Sequence, residues 1–158
     1  MRTTWTFHSA GTIVFGRDAV HQLGEVAARL GAKRAFVVTD AILQKAGVLE
    51  RVLEPLKKSN LAVEAFTGGE PEPSMRAAEA CLARAQAFRP DVLVGLGGGS
   101  NMDLAKLTAT LLTHAGTPRT FVGDDKIPGP IMSLICVPTT AGTGSEVSAA
   151  SVITDTEN

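Results

Sequence analysis

The chain has 158 residues, 44% of them hydrophobic and 20% charged, with a formal net charge of −1. That is the size of one domain able to bury roughly 68–70% of its unfolded surface, with the composition of a soluble globular protein. The near-neutral charge, the lack of a Lys/Arg cluster, and only Trp5 and six Phe with no Tyr argue against a nucleic-acid partner, and no run suits a membrane span or signal peptide. The expected setting is therefore cytoplasmic.

Phe7-His8-Ser9 and Thr12-Ile13-Val14-Phe15 flank Ala10-Gly11 and predict an N-terminal hairpin ended by Gly16. Asp18 is positioned to cap a helix whose Val20, Leu23, Val26, Ala27 and Leu30 share one face, with Gly31 ending it. Residues 35–40 read as a buried strand with a polar carboxyl end at Asp40. The helical stretch 41–58 contains Gly47 and Pro55, which predict a kink or break. Residues 61–66 return to strand character, and Pro71-Glu72-Pro73 makes a rigid turn. Ser74 then caps a helix with Ala77, Ala78, Cys81, Leu82, Ala85 and Phe88 inward, stopped by Arg89-Pro90.

An apolar strand follows at residues 91–96 and runs directly into Gly97-Gly98-Gly99-Ser100-Asn101-Met102-Asp103-Leu104-Ala105-Lys106. The helix this opens is expected from about Asn101 to Thr113. A Pro/Gly-rich loop covers 116–130, and 131–137 forms another apolar strand. The chain closes through Pro138-Thr139-Thr140-Ala141-Gly142-Thr143-Gly144-Ser145-Glu146 and a short run at 148–154.

Strands alternating with helices predict an α/β fold, a Rossmann-like parallel sheet with helices on both faces. Such sheets bind ligands at the carboxyl ends of their strands. Asp40, residues 97–100, Thr139 and Thr140 all fall there, so separate segments converge on one edge. Cys81 and Cys136 have no ligand spacing and read as small core residues. His8, His21 and His114 lack pairing at ligand spacing on one helix and read as non-ligands.

Glycines at a strand-to-helix turn let backbone N–H groups approach an anion, and a helix N-terminus adds partial positive charge. Three ordered glycines cost about 1 kcal/mol each against Ala, so a phosphate or pyrophosphate cradle is the functional reading and a flexible connector the bland one. Ser100 is expected as the helix cap, with Asp103 reaching back to it and Lys106 solvated one turn on. The usual dinucleotide fingerprint places its glycines after the first strand and an acidic ribose ligand about 20 residues later. Here Asp40 precedes the glycines, and it reads either as a ribose ligand or as a plain helix cap. The threonine-rich 138–146 segment reads either as a turn with local hydroxyl–backbone bonds or as the second wall of a ligand cleft.

Gly-Gly-Gly-Ser-x-x-Asp-x-Ala-Lys at 97–106 and Pro-Thr-Thr-Ala-Gly-Thr-Gly-Ser-Glu at 138–146 together resemble the iron-containing (group III, metal-dependent) alcohol dehydrogenase family. Gly11-x-x-x-x-Gly16 and Val38-Thr39-Asp40 fit the same layout. The resemblance implies a dehydroquinate-synthase-like N-terminal dinucleotide-binding domain over residues 1–158, with the family's C-terminal all-helical metal domain absent from this chain. It implies that Gly98, Gly99 and Ser100 hold the NAD pyrophosphate, with Gly97 and Asn101 also among the cofactor-binding residues. Asp40 would contact the adenosine ribose and favour NAD over NADP. Thr139, Thr140 and Thr143 would line the diphosphate and nicotinamide side, with Ser145 and Val147 nearby. The turn reads Pro71-Glu72-Pro73 where family members commonly carry Asn.

The expected function is then the cofactor half of an NAD-dependent alcohol dehydrogenase, transferring hydride between a small alcohol and its aldehyde or ketone. The divalent metal, iron or in some members zinc, would bind to an Asp and three His of the helical domain, so the isolated chain is expected to be inactive, with no catalytic or metal residue of its own. A homodimer or higher homo-oligomer is the expected assembly. The alternatives are a non-catalytic nucleotide-binding module and a relative of glycerol dehydrogenase.

Overall fold

A computed structural model describes residues 10–155 of the protein. One sheet holds four parallel strands, β1 (Arg34–Asp40), β2 (Ala62–Gly69), β3 (Val92–Gly97) and β4 (Leu134–Pro138), in the order β2-β1-β3-β4. Five helices accompany them: α1 (Leu23–Arg29), α2 (Ala41–Lys45), α3 (Val48–Lys58), α4 (Met75–Phe88) and α5 (Gly99–Thr113). Parallel strands need crossover connections, and here helices supply them, which covers both faces of the sheet.

The period-2 alternation of strand side chains divides the core. Ala35, Val37, Val92, Val94 and Leu96 pack with Leu23 and Ala27 of α1 and with Leu49, Val52 and Leu56 of α3. Phe36, Val38 and Leu93 point the other way, onto Ala78, Cys81 and Ala85 of α4 and onto Leu104 and Ala105 of α5. Gly95 belongs to this second face. A Cβ there would lie 3.0 Å from the Ala105 Cβ and 3.1 Å from the Met102 Cα, so the missing side chain lets α5 lie close against β3. The expected α/β fold with helices on both faces is therefore the observed one.

Several local expectations are corrected. Asp18 sits in the left-handed region at φ 58 and makes no capping bond; the chain takes a 3-10 turn over Ala19–Gln22 before α1 begins. Leu30 does not face inward but is half-exposed, because it is the C-cap residue beside left-handed Gly31. The stretch 41–58 breaks at left-handed Gly47, whereas Pro55 is accommodated inside α3. β2 runs on to Gly69, since Asp40 continues the pairing with Gly68 and Gly69. β4 begins at Leu134, three residues later than the apolar run suggests. Of the expected hairpin, residues 7–9 lie outside the described residues, and residues 12–15 form no strand among those described.

Ser74 caps α4 as expected, accepting from the Ala77 N–H at 3.2 Å, and Arg89 ends that helix at φ 56. Glu70 in turn accepts from the Ser74 N–H and hydroxyl. Those two hydrogen bonds hold the Glu70 carboxyl below its usual range.

Candidate functional site

β2 lies on one side of β1 and β3 on the other, so the strand order reverses between β1 and β3. The crevice at their carboxyl ends is the switch point where open α/β sheets bind ligands. Asp40 ends β1 and Gly97 ends β3, which brings the two motif segments to this place.

Gly98 is the N-cap of α5, with extended backbone and no side-chain cap, and Met102 N–H donates to its carbonyl at 3.2 Å. The helix thus starts two residues earlier than expected, and Ser100 lies inside its first turn instead of capping it. The first-turn N–H groups of α5 have no side-chain oxygen in the cap position, at the positive end of a 15-residue helix.

The threonine-rich segment meets this turn directly. A Cβ on Gly98 would stand 3.3 Å from the Thr140 Oγ1, and one on Gly99 would stand 3.2 Å from the Thr143 Cβ. Thr139 N–H donates to the Gly97 carbonyl at 2.9 Å. The two motifs therefore form adjoining walls, with space between them that only glycines leave open. Thr139, Thr140 and Thr143 are exposed on that wall and Val147 is partly so. An open hollow of about 2070 Å³ beside β4 shares Thr139, Thr140 and Val147 with this wall, together with Lys106 and Glu146, but does not reach the glycine turn. The turn is a shallow cradle at a helix end, so the contacts between the motifs mark the site better than the hollow does.

Asp40 is the N-cap of α2. Its Oδ1 accepts from Ile42 N–H at 2.8 Å and Leu43 N–H at 2.9 Å, and its Oδ2 accepts from Asn101 Nδ2 at 2.7 Å. The cap is thus real, and a carboxylate has about four acceptor positions, so it does not exclude a further partner. Asn101 is buried, and its second amide proton goes to the Leu96 carbonyl at 3.0 Å.

Lys106 is not solvated. It is 7% exposed, and its Nζ lies 2.7 Å from the Ser145 Oγ, 2.8 Å from the Ala150 carbonyl and 3.3 Å from both the Asp103 Oδ1 and the Ser148 Oγ. Asp103 does not reach back to a cap either. Its Oδ1 accepts from the Ser145 hydroxyl at 2.6 Å, its Oδ2 from Val152 N–H at 3.0 Å, and its carbonyl from the Ser151 hydroxyl at 2.6 Å. The pair clips residues 145–152 onto α5, and Ser145, 5% exposed, faces that clip. The sequence carried one local cue, since Asp103 and Lys106 are the only charged residues of this 15-residue helix, but nothing local says which segment covers them.

Around the clip, burial raises the Cys136 thiol above its usual range, with Lys106 pulling it down and Glu146 and Asp103 pushing it up. Burial pushes the Cys81 thiol in the core up to about 12. His114 places its Nε2 3.0 Å from the Pro130 carbonyl. Among the described residues no group of three or more His, Cys, Asp and Glu could hold a metal ion. Among the described residues no helix is long and apolar enough to cross a membrane.

The parallel order β2-β1-β3-β4 with helices on both faces defines the chain as a doubly wound α/β domain. Residues 10–158 match the model of one family, "Iron-containing alcohol dehydrogenase", and the chain belongs to that family. It is 36% identical over 146 residues to the sulfoacetaldehyde reductase of Bilophila wadsworthia, a match covering 92% of this chain and 38% of that protein. It is 38% identical over 141 residues to long-chain-alcohol dehydrogenase 1 of Geobacillus thermodenitrificans, covering 87% of this chain and 36% of that one. Among solved structures, a 1,3-propanediol oxidoreductase superposes with a TM-score of 0.93 at 33% identity, over 98% of this chain and 40% of that chain. The sulfoacetaldehyde reductase of Bifidobacterium kashiwanohense in complex with NAD+ superposes with a TM-score of 0.86 at 29% identity, over 99% and 41%. The chain thus spans about two-fifths of the length of these relatives.

Proposed function

We propose that this chain supplies the NAD-binding region of an alcohol dehydrogenase acting on a small alcohol and its aldehyde or ketone. The observation that carries the reading is the meeting of the glycine turn with the threonine segment at the switch point, where Gly98 and Gly99 face Thr140 and Thr143. The N–H groups of Gly99, Ser100 and Asn101 suit a pyrophosphate, and the exposed hydroxyls of Thr139, Thr140 and Thr143 suit its oxygens or the nicotinamide amide. Asp40, at the neighbouring strand end, suits the adenosine ribose of NAD and opposes the 2′-phosphate of NADP.

When bound, NAD accepts hydride from the carbinol carbon at C4 of its nicotinamide. The chain's own contribution is to bind and orient the cofactor so that this transfer meets a fixed geometry. Among the described residues no group of three or more His, Cys, Asp and Glu could hold a metal ion, and no catalytic role is assigned to them.

The test is calorimetric titration of the protein with NAD and with NADP. Binding of NAD in preference to NADP supports the reading. Absence of heat even at millimolar NAD would remove the assigned pocket.

A further inference from the structure

We infer that Asn101 is a positioning residue for cofactor choice: its side chain holds the Asp40 carboxylate in place and does not itself bind the cofactor. The inference rests on the reading of Asp40 as the ribose contact and adds a second residue to it.

Two independent features fix the Asn101 amide. Both of its protons are committed, one to the Asp40 Oδ2 at 2.7 Å and one to the Leu96 carbonyl at 3.0 Å. The group is also boxed by two glycines at neighbouring strand ends. A Cβ on Gly97 would lie 2.2 Å from Asn101 Nδ2, and a Cβ on Gly69 would lie 2.2 Å from Asn101 Oδ1. The side chain thus fills the gap where β1, β2 and β3 end, and turning it toward a ligand would break both bonds.

For Asp40 the consequence is asymmetric. Its Oδ1 is held by the two backbone N–H groups of its own helix cap, whereas its Oδ2 has Asn101 as its bonded side-chain partner. Of about four acceptor positions three are taken, and the fourth is the one left for a ribose hydroxyl. Without Asn101 the carboxylate keeps its cap and its charge, but Oδ2 can swing about the Cβ–Cγ bond. A swinging carboxylate bonds a ribose hydroxyl less well and meets a 2′-phosphate less squarely. NAD binding then weakens while NADP binding weakens less or improves.

The test measures the dissociation constants of NAD and NADP for the protein and for Asn101→Ala, Asp40→Ala and the double variant. Asn101→Leu is measured beside them because it keeps most of the side-chain volume. Thermal melts confirm which variants are folded. The expected result is a fall in NAD preference on the order of threefold to tenfold for Asn101→Ala and Asn101→Leu, with no further fall when Asn101→Ala is added to Asp40→Ala. Equal weakening of both cofactors would overturn the inference, since a merely structural loss does that. A shift in preference that persists in the Asp40→Ala background would overturn it too, because Asn101 would then act on the cofactor directly. An unchanged preference in Asp40→Ala alone would overturn the ribose reading of Asp40, and this inference with it.

Discussion

Lys106 on α5 places its ammonium 2.7 Å from the hydroxyl of Ser145, 39 residues further along the chain. That hydroxyl donates in turn to Asp103, 2.6 Å away, so a buried ion pair and a serine join the two sequence motifs from beneath. The glycine turn and the threonine wall are therefore held at a set distance by groups that need not touch a cofactor.

Breaking this clip on one side strands a charge. Lys106→Met leaves Asp103 buried without its cation and is expected to cost about 3–5 kcal/mol. Combining it with Asp103→Asn removes the stranded charge and restores part of the loss. Urea unfolding of the single and double variants checks this. A double variant no more stable than Lys106→Met would show that the pair is not the source of the cost.

The turn before α4 carries a strained residue. Glu72 stands at φ 51, in the left-handed region that Asn tolerates better than most side chains. Glu72→Asn is expected to raise stability by up to about 1 kcal/mol, read as a higher melting temperature. A lower melting temperature would contradict the assignment of strain to this position.

Much of the fold was legible in the chain because the cues were local. The apolar runs at β1 and β3, the glycine at 47 and the Ser74 cap each act over a few residues, and the structure has each of them in place. Asp40 as a helix cap was legible for the same reason. Lys106 was not, because its partners Ser145, Ser148 and Ala150 come from a segment about 40 residues away, and spacing alone does not say what covers a helix. Ser100 was mistaken for the cap because Ser outranks Gly as an N-cap in general. Here the helix begins where Gly98 can approach Thr140, and that contact is tertiary.

Alkaline pH should expose the burial of Cys81. Its thiol ionises near its ordinary value of 9.0 in the unfolded chain, whereas in the core it is pushed up to about 12. Between those values the folded state binds more protons than the unfolded state, so stability falls as pH rises, by about 1.4 kcal/mol per unit. Urea midpoints measured from pH 8 to pH 11 should therefore drop more steeply for the protein than for Cys81→Ala. Parallel slopes would show that the thiol is not protected.

If the glycine turn and the threonine segment form one NAD cleft, Gly98→Val should close part of it. Gly98 has φ −76, which any residue adopts, so its backbone does not oppose the variant, while its side chain grows toward the exposed Thr140 Oγ1 that a Cβ would already approach to 3.3 Å. Titration with NAD is expected to show affinity reduced at least about tenfold, roughly 1.4 kcal/mol, with the melting temperature nearly unchanged. NAD affinity equal to that of the unaltered protein in a folded Gly98→Val variant would contradict the cleft.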